Sequence, residues 1–326
     1  MRNKKLIFIA TIIFLTITFS PKAFSLPKID TEETLTENLV SAKPESGPTQ
    51  DYRQKIEQLV TEEAPEEEAP FEFDSYYRYM PAEKVSAMSG RIGITEAAQE
   101  TSYVVKAFGK LPIELSVENS YIGIDNSTRI ELPAKLTGLS FGVEATVPFF
   151  SFEKTYFRFG VFPSFYTDDW NFESSAFRMP NRYMVIHQPN DRLTLVAGIA
   201  VFPDFTEEVA PILGFIYKPN DRLTFNIIPM RPTVSYKLNE KLTVFGEGGS
   251  SAGEYEVTQD ERKNVILEYK ELHLGAGCHY NFNKNIQSSF TVGGIFNRQL
   301  RYHPDSLGKV NIDSGFYSEF RFQLKL

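Results

Sequence analysis

The C-terminal run NIDSGFYSEFRFQLKL alternates in character from residue to residue. Phe316, Phe320, Phe322, Leu324 and Leu326 fall on one face of an extended chain, and Tyr317, Glu319, Arg321, Gln323 and Lys325 on the other. Successive side chains of a strand point to opposite faces, so this strand is apolar on one side and charged on the other. TYFRFGVFPSFY repeats the pattern, setting Phe157, Phe159, Val161, Pro163 and Phe165 against Arg158, Gly160 and Ser164. KNIQSSFTVGGIFN does so again, with Ile286, Phe290, Val292 and Phe296 opposed to Asn285, Gln287, Ser289 and Thr291. Runs of this length exceed the strands of most soluble domains and match strands that cross a bilayer at a tilt.

A repeated turn gives the spacing. Residues 188–195 read QPNDRLTL and residues 218–225 read KPNDRLTF. Proline fixes one backbone angle, and the side chains of Asn and Asp satisfy the backbone of a tight turn. Pro189, Asn190 and Asp191, and likewise Pro219, Asn220 and Asp221, are therefore assigned to short turns. Looser copies are LPIE after Lys110, FEKT at 152–155, NEKL at 239–242 and NKNI at 283–286. Between short turns lie two strands joined by a more variable connection, such as 167–178 or 252–264.

The fold class expected from this repeat is all-β: a closed antiparallel up-and-down transmembrane barrel of about 12–14 strands. Counting hairpins from Ser86 gives the larger number. The pairs at 86–108 and 222–238, the latter split by PMRP, are the weakest, and losing either gives the smaller. Both chain ends fall on the short-turn side, which is periplasmic in outer-membrane barrels. A soluble β-sandwich also uses alternation and tight turns, but 28 Phe and 16 Tyr suit the aromatic girdles of a membrane barrel better. A mean hydropathy of -0.26 fits apolar residues diluted by alternation.

Three segments are expected: a signal peptide at 1–25, an acidic periplasmic leader at 26–75, and the barrel at 76–326. Arg2, Lys4 and Lys5 precede an apolar stretch from Leu6 to Phe19 that closes at Ala23-Phe24-Ser25, the pattern of a cleaved export signal. The leader carries 14 acidic residues against four basic and lacks the apolar content to offset its ordering entropy. A tether for a basic periplasmic partner is the functional reading of that leader. Losing Arg2, Lys4, Lys5 and Lys22 with the signal takes the net charge from -8 to -12, which argues against nucleic acid. The expected partners are outer-membrane lipids and, during biogenesis, the barrel-assembly machinery. Cys278 is a lone cysteine on the apolar side of ELHLGAGCHY, where a small hydrophobe belongs.

FGKLPIELSVENSYIGID, the PSFYTDDWNF loop, the twin QPNDRLT and YKPNDRLTFN turns and the alternating terminus together resemble a family of bacterial outer-membrane β-barrel proteins built on a domain of unknown function. The resemblance covers about residues 80–326. It implies the fold and an outer-membrane location, and no reaction. The chain departs from such barrels in ending on Leu326, where a terminal Phe commonly serves the assembly machinery.

The sequence-level expectation for function is a passive pore or conduit for small solutes. Its lumen candidates are Arg158, Glu271, His273, Glu319, Arg321 and Lys325, whose mixed signs argue against strong ion selectivity. A structural or surface-interaction barrel with a plugged lumen is the alternative. No enzyme, cofactor or metal is expected. Gly249-Ser250-Ser251-Ala252-Gly253 matches the spacing of a nucleophile elbow, but a helix should follow it and a loop-like stretch does. His273 and His279 share a face some six strand residues apart, roughly 20 Å, too far to hold one metal. An outer-membrane lipid hydrolase using His303 and Ser306 is the remaining enzymatic alternative, without an orienting third residue.

Overall fold

The computed structural model describes residues 70–326 apart from 87, 108–110, 150–151, 171–172, 204, 207, 230, 260–261 and 304–307. The signal peptide and nearly all of the leader lie outside the described residues. Fourteen strands follow one another in chain order. They are β1 (Phe71–Lys84), β2 (Arg91–Ala107), β3 (Leu111–Asn126), β4 (Lys135–Pro148), β5 (Thr155–Val161 and Ser164–Thr167), β6 (Phe177–Arg178 and Asn181–Asn190) and β7 (Leu193–Val201). The second half has β8 (Val209–Asn220), β9 (Leu223–Ile227), β10 (Thr233–Lys237), β11 (Leu242–Gln259), β12 (Arg262–Asn281), β13 (Ile286–His303) and β14 (Lys309–Ile312 and Gly315–Lys325). Pro163 and Pro180, which have no N–H to give a ladder, mark the breaks in β5 and β6.

Each strand pairs antiparallel with its sequence neighbour, and β1 pairs with β14 from Glu72↔Lys325 to Tyr79↔Ser318. That last pairing closes the sheet and removes its edges. Alternation then decides which residues face out. Tyr77, Tyr79, Phe141, Leu213, Leu274, Phe290, Phe316 and Phe320 are exposed, while their neighbours Arg78, Ser140, Ile212, His273, Ser289, Tyr317 and Glu319 are buried inside. An apolar outer wall around a polar interior is the inverse of a soluble barrel and is the surface a bilayer solvates.

The first hairpin differs from expectation. It was placed at 86–108, but β1 begins at Phe71 and the hairpin turns around Gly90, whose φ of +116° admits no ordinary side chain without strain. Residues 71–75 therefore belong to the barrel. Glu72 and Asp74 fall in the stretch assigned to the acidic leader, yet Asp74 and the following Arg78 are buried in the lumen while Tyr77 and Tyr79 face outward. The connection expected at 252–264 is also largely strand, since β11 runs to Gln259 and β12 starts at Arg262.

Strand length is uneven, and this shapes the interior. β11 has 18 residues and β12 has 20, whereas β9 and β10 have five each. At about 3.3 Å per residue β11 runs roughly 60 Å, well beyond an apolar band of about 25 Å. β10 stops opposite Glu247, leaving the upper part of β11 without that neighbour. The end of β5 fills the gap: Thr167 forms a parallel bridge with Glu256. Asp168 Oδ2 accepts the Thr258 N–H at 3.2 Å, and Glu254 Oε1 accepts the Thr206 N–H at 2.8 Å from the β7–β8 loop. The long-loop end is thus closed around β11–β14 and β1–β5.

Candidate functional site

The lumen is the site, and it has two layers. The extracellular layer is apolar: Met80, Ile92, Ile94, Ile122, Leu136, Leu267, Leu300, Tyr302 and Ile312 form one contiguous buried cluster. Phe202 and Phe205, from the β7–β8 loop, join it through edge contacts at 5.6 Å with each other and 6.2 Å between Phe205 and Tyr166. Tyr166 in turn meets Tyr255 at 5.8 Å. These rings stop the extracellular mouth.

Below this plug the wall carries charge. Arg78 on β1 donates from Nη2 to Glu319 at 2.7 Å on β14, and from Nη1 to Glu96 at 3.2 Å on β2 and Glu271 at 3.0 Å on β12. Arg231, from the β9–β10 loop, donates to Glu247 at 2.7 Å and Glu319 at 3.0 Å. Arg321 lies 3.6 Å from Asp74 and 3.4 Å from Glu319. Guanidinium groups with several planar donors suit this bridging of carboxylates on different strands.

A second centre lies on the adjoining strands β3–β6. Glu144 on β4 accepts from Arg182 at 2.6 Å and from Arg158, which also reaches Glu114 at 2.8 Å. Removing ions from water is costly, so such groups persist inside only when mutually paired.

Tyr317 shows how the backbone accommodates these contacts. Its ladder row runs through Gly293 and Gly275 to Glu247. A side chain at either glycine would overlap the ring. Their absence lets the phenol lie along the wall and donate to Glu247 at 3.2 Å.

The six lumen candidates all face inward. Arg158, Glu271, Glu319 and Arg321 are buried and ion-paired as described. His273 is buried with Nδ1 3.6 Å from Glu271. Lys325 sits half-exposed at the short-turn rim, 3.5 Å from Glu72. Sequence reasoning missed Arg78, Glu96, Glu144 and Arg182. Alternation would have found the last three once their strands were in register, whereas Arg78 lies ahead of Ser86, where the hairpin count began.

The expected turns are in place. Asn190 Oδ1 accepts the Arg192 N–H at 3.0 Å, and Asn220 Oδ1 accepts those of Arg222 and Leu223, each at 3.0 Å. Pro189 and Pro219 stand one residue before these caps. Asp191 pairs with Lys154 of the adjoining turn instead of capping its own, and Asp221 lies in the turn beside Asn220.

The remaining motifs assemble no reaction centre among the described residues. Gly249–Gly253 runs through the middle of β11 with no helix after it. His279 stacks on Phe245 at 4.2 Å. His303 Nε2 faces the buried Glu268 Oε2 at 3.4 Å, while Ser306 lies outside the described residues.

No curated protein matches the chain. Solved structures resemble it distantly. An outer membrane channel from Pseudomonas putida F1 aligns over 79% of this chain and 96% of its own at 10% identity and a TM-score of 0.44. A Pseudomonas aeruginosa FadL homologue aligns over 78% and 90% at 11% identity and a TM-score of 0.45. The NanC porin aligns over 78% and 100% at 11% identity and a TM-score of 0.37. The sequence pattern of one family spans residues 112–320, from the start of β3 to the middle of β14, and this barrel belongs to that family, the domain of unknown function DUF6268.

Proposed function

We propose that this protein is a passive conduit for small solutes in the bacterial outer membrane, seen here with its extracellular mouth closed. The observation that supports this reading most is the interior of a closed 14-strand sheet lined with charged side chains beneath an apolar stopper. A barrel of this strand number has room for more than packed side chains, and only a lumen that meets water has use for so many ionic groups. The tip of β5 and the β7–β8 loop meet β11 through the Thr167–Glu256 bridge and the contacts of Asp168 and Thr206, which is where we place the movable part of the stopper. The barrel is assigned no reaction.

A plugged structural barrel is the second reading, favoured by the mutual pairing of Arg78, Glu96, Glu271 and Glu319. Single-channel recording of the protein purified from membranes and inserted in a planar bilayer separates the two. Discrete conductance steps support the conduit, and a stably inserted, silent barrel overturns it.

A further inference from the structure

Arg298 on β13 differs from the ion-paired arginines of the lumen. Among the described residues Arg78, Arg158, Arg182 and Arg321 each meet a carboxylate, and buried Arg178 donates to the carbonyls of Ser175 and Phe177. Arg298 is 1% exposed and meets no carboxylate. Its Nη2 donates to the Asp313 carbonyl at 3.2 Å, while Nε and Nη1 have no partner. The Asp313 carboxylate is turned to Ser86 Oγ, which donates to it at 3.1 Å. A guanidinium cannot discharge itself by losing a proton, so among the described residues this is a buried cation without an ion-pair partner.

Its inward aim is built into the backbone. Asn297 adopts a φ of +51°, and the β12–β13 register gains one residue on β13 between Leu272↔Phe296 and Lys270↔Gln299. Without that bulge, alternation from Ile295 would carry Asn297 inward and turn Arg298 out to the bilayer face. The bulge instead sends Arg298 into the extracellular layer, opposite Ile312 and one alternation from Leu300, both members of the apolar cluster. The bulge at Asn297 thus places a cation at the edge of the apolar cluster, within electrostatic reach of Tyr269.

We infer that Arg298 is a binding point for the carboxylate of a small organic acid whose apolar body is held by the residues of the stopper. The inference rests on the conduit reading and names the solute class for it. The guanidinium supplies the charge-assisted donors that a carboxylate accepts, and the surrounding aliphatic and aromatic side chains suit a hydrocarbon body. A neutral solute leaves the cation unmatched, and a cationic one is repelled.

The test is calorimetric titration of the protein in lipid nanodiscs with hexanoate, using empty discs as the blank and hexanol and hexylammonium as neutral and cationic counterparts. Hexanoate is expected to bind wild type, with Arg298→Met weakening it about ten-fold or more and leaving hexanol unchanged. Arg298→Gln serves as a second neutral variant should Arg298→Met fail to assemble. Equal hexanoate affinity in wild type and either assembled variant, or no hexanoate binding to wild type, overturns the inference. Conductance without hexanoate binding would remove this solute class and keep the conduit. Hexanoate binding that depends on Arg298 in a silent barrel would keep the site and remove the conduit.

Discussion

Thr167 and Glu256 meet in the one parallel bridge among the described strands, joining the tip of β5 to the upper part of β11 across the place where β6 to β10 fall short. A single bridge is a weak attachment compared with an antiparallel ladder, and it lies beside the aromatic stopper of Tyr166, Phe205 and Tyr255. The mouth therefore has a natural seam.

Locking that seam should hold the conduit shut. Ladder partners lie close enough for a disulfide. In a Cys278→Ser background, Thr167→Cys with Glu256→Cys is expected to lower conductance under oxidation and recover it on reduction. Identical single-channel traces in both redox states would show that the seam is not the gate.

Arg78 contacts three carboxylates from three strands, so removing it leaves Glu96, Glu271 and Glu319 facing one another without their shared cation. Breaking a buried pair on one side costs about 3–5 kcal/mol. Arg78→Ala should unfold at markedly lower urea concentration than wild type, with Arg78→Lys intermediate because an ammonium cannot match the planar fork. An Arg78→Ala barrel as stable as wild type would mean that water enters freely and screens the acids, which would itself favour an open lumen.

The repeat and the closure were legible in the sequence because both follow from period-two alternation and from turn chemistry at nearly constant spacing. Asn190 and Asn220 cap as their residue types dictate. β1 was not legible, since the charges of a lumen face and those of a solvated leader look alike until a partner strand shows which side they occupy. The stopper was hidden for a different reason: Phe202, Phe205 and Tyr166 come from separate segments and meet only through tertiary folding. Arg298 was hidden by a one-residue bulge, which reverses every face assignment beyond it.

The asparagine caps recur outside the twin repeat. Asn239 Oδ1 accepts from Lys241 and Leu242, and Asn283 Oδ1 from Asn285 and Ile286, within 2.8–3.0 Å. Each bond is exposed, so Asn220→Ala should cost only about 1 kcal/mol and leave conductance unchanged. A change in conductance from that substitution would place function at the periplasmic rim, where none is assigned.

Glu144 and Asp191 provide the contrast between buried and exposed pairs. Asp191 meets Lys154 at 3.3 Å with side-chain exposures of 78% and 41%, so solvent screens the pair and Asp191→Ala should change stability by no more than about 0.5 kcal/mol. Glu144 is buried between Arg158 and Arg182, and Glu144→Ala removes the carboxylate that bridges the two guanidinium groups. The expected loss is about 3 kcal/mol or more. The two variants should therefore separate clearly in urea unfolding followed by heat-modifiable gel migration. Equal midpoints for both would mean that the lumen charges sit in bulk-like water, and the interior would then have to be redrawn as a wide aqueous channel instead of a paired wall beneath a stopper.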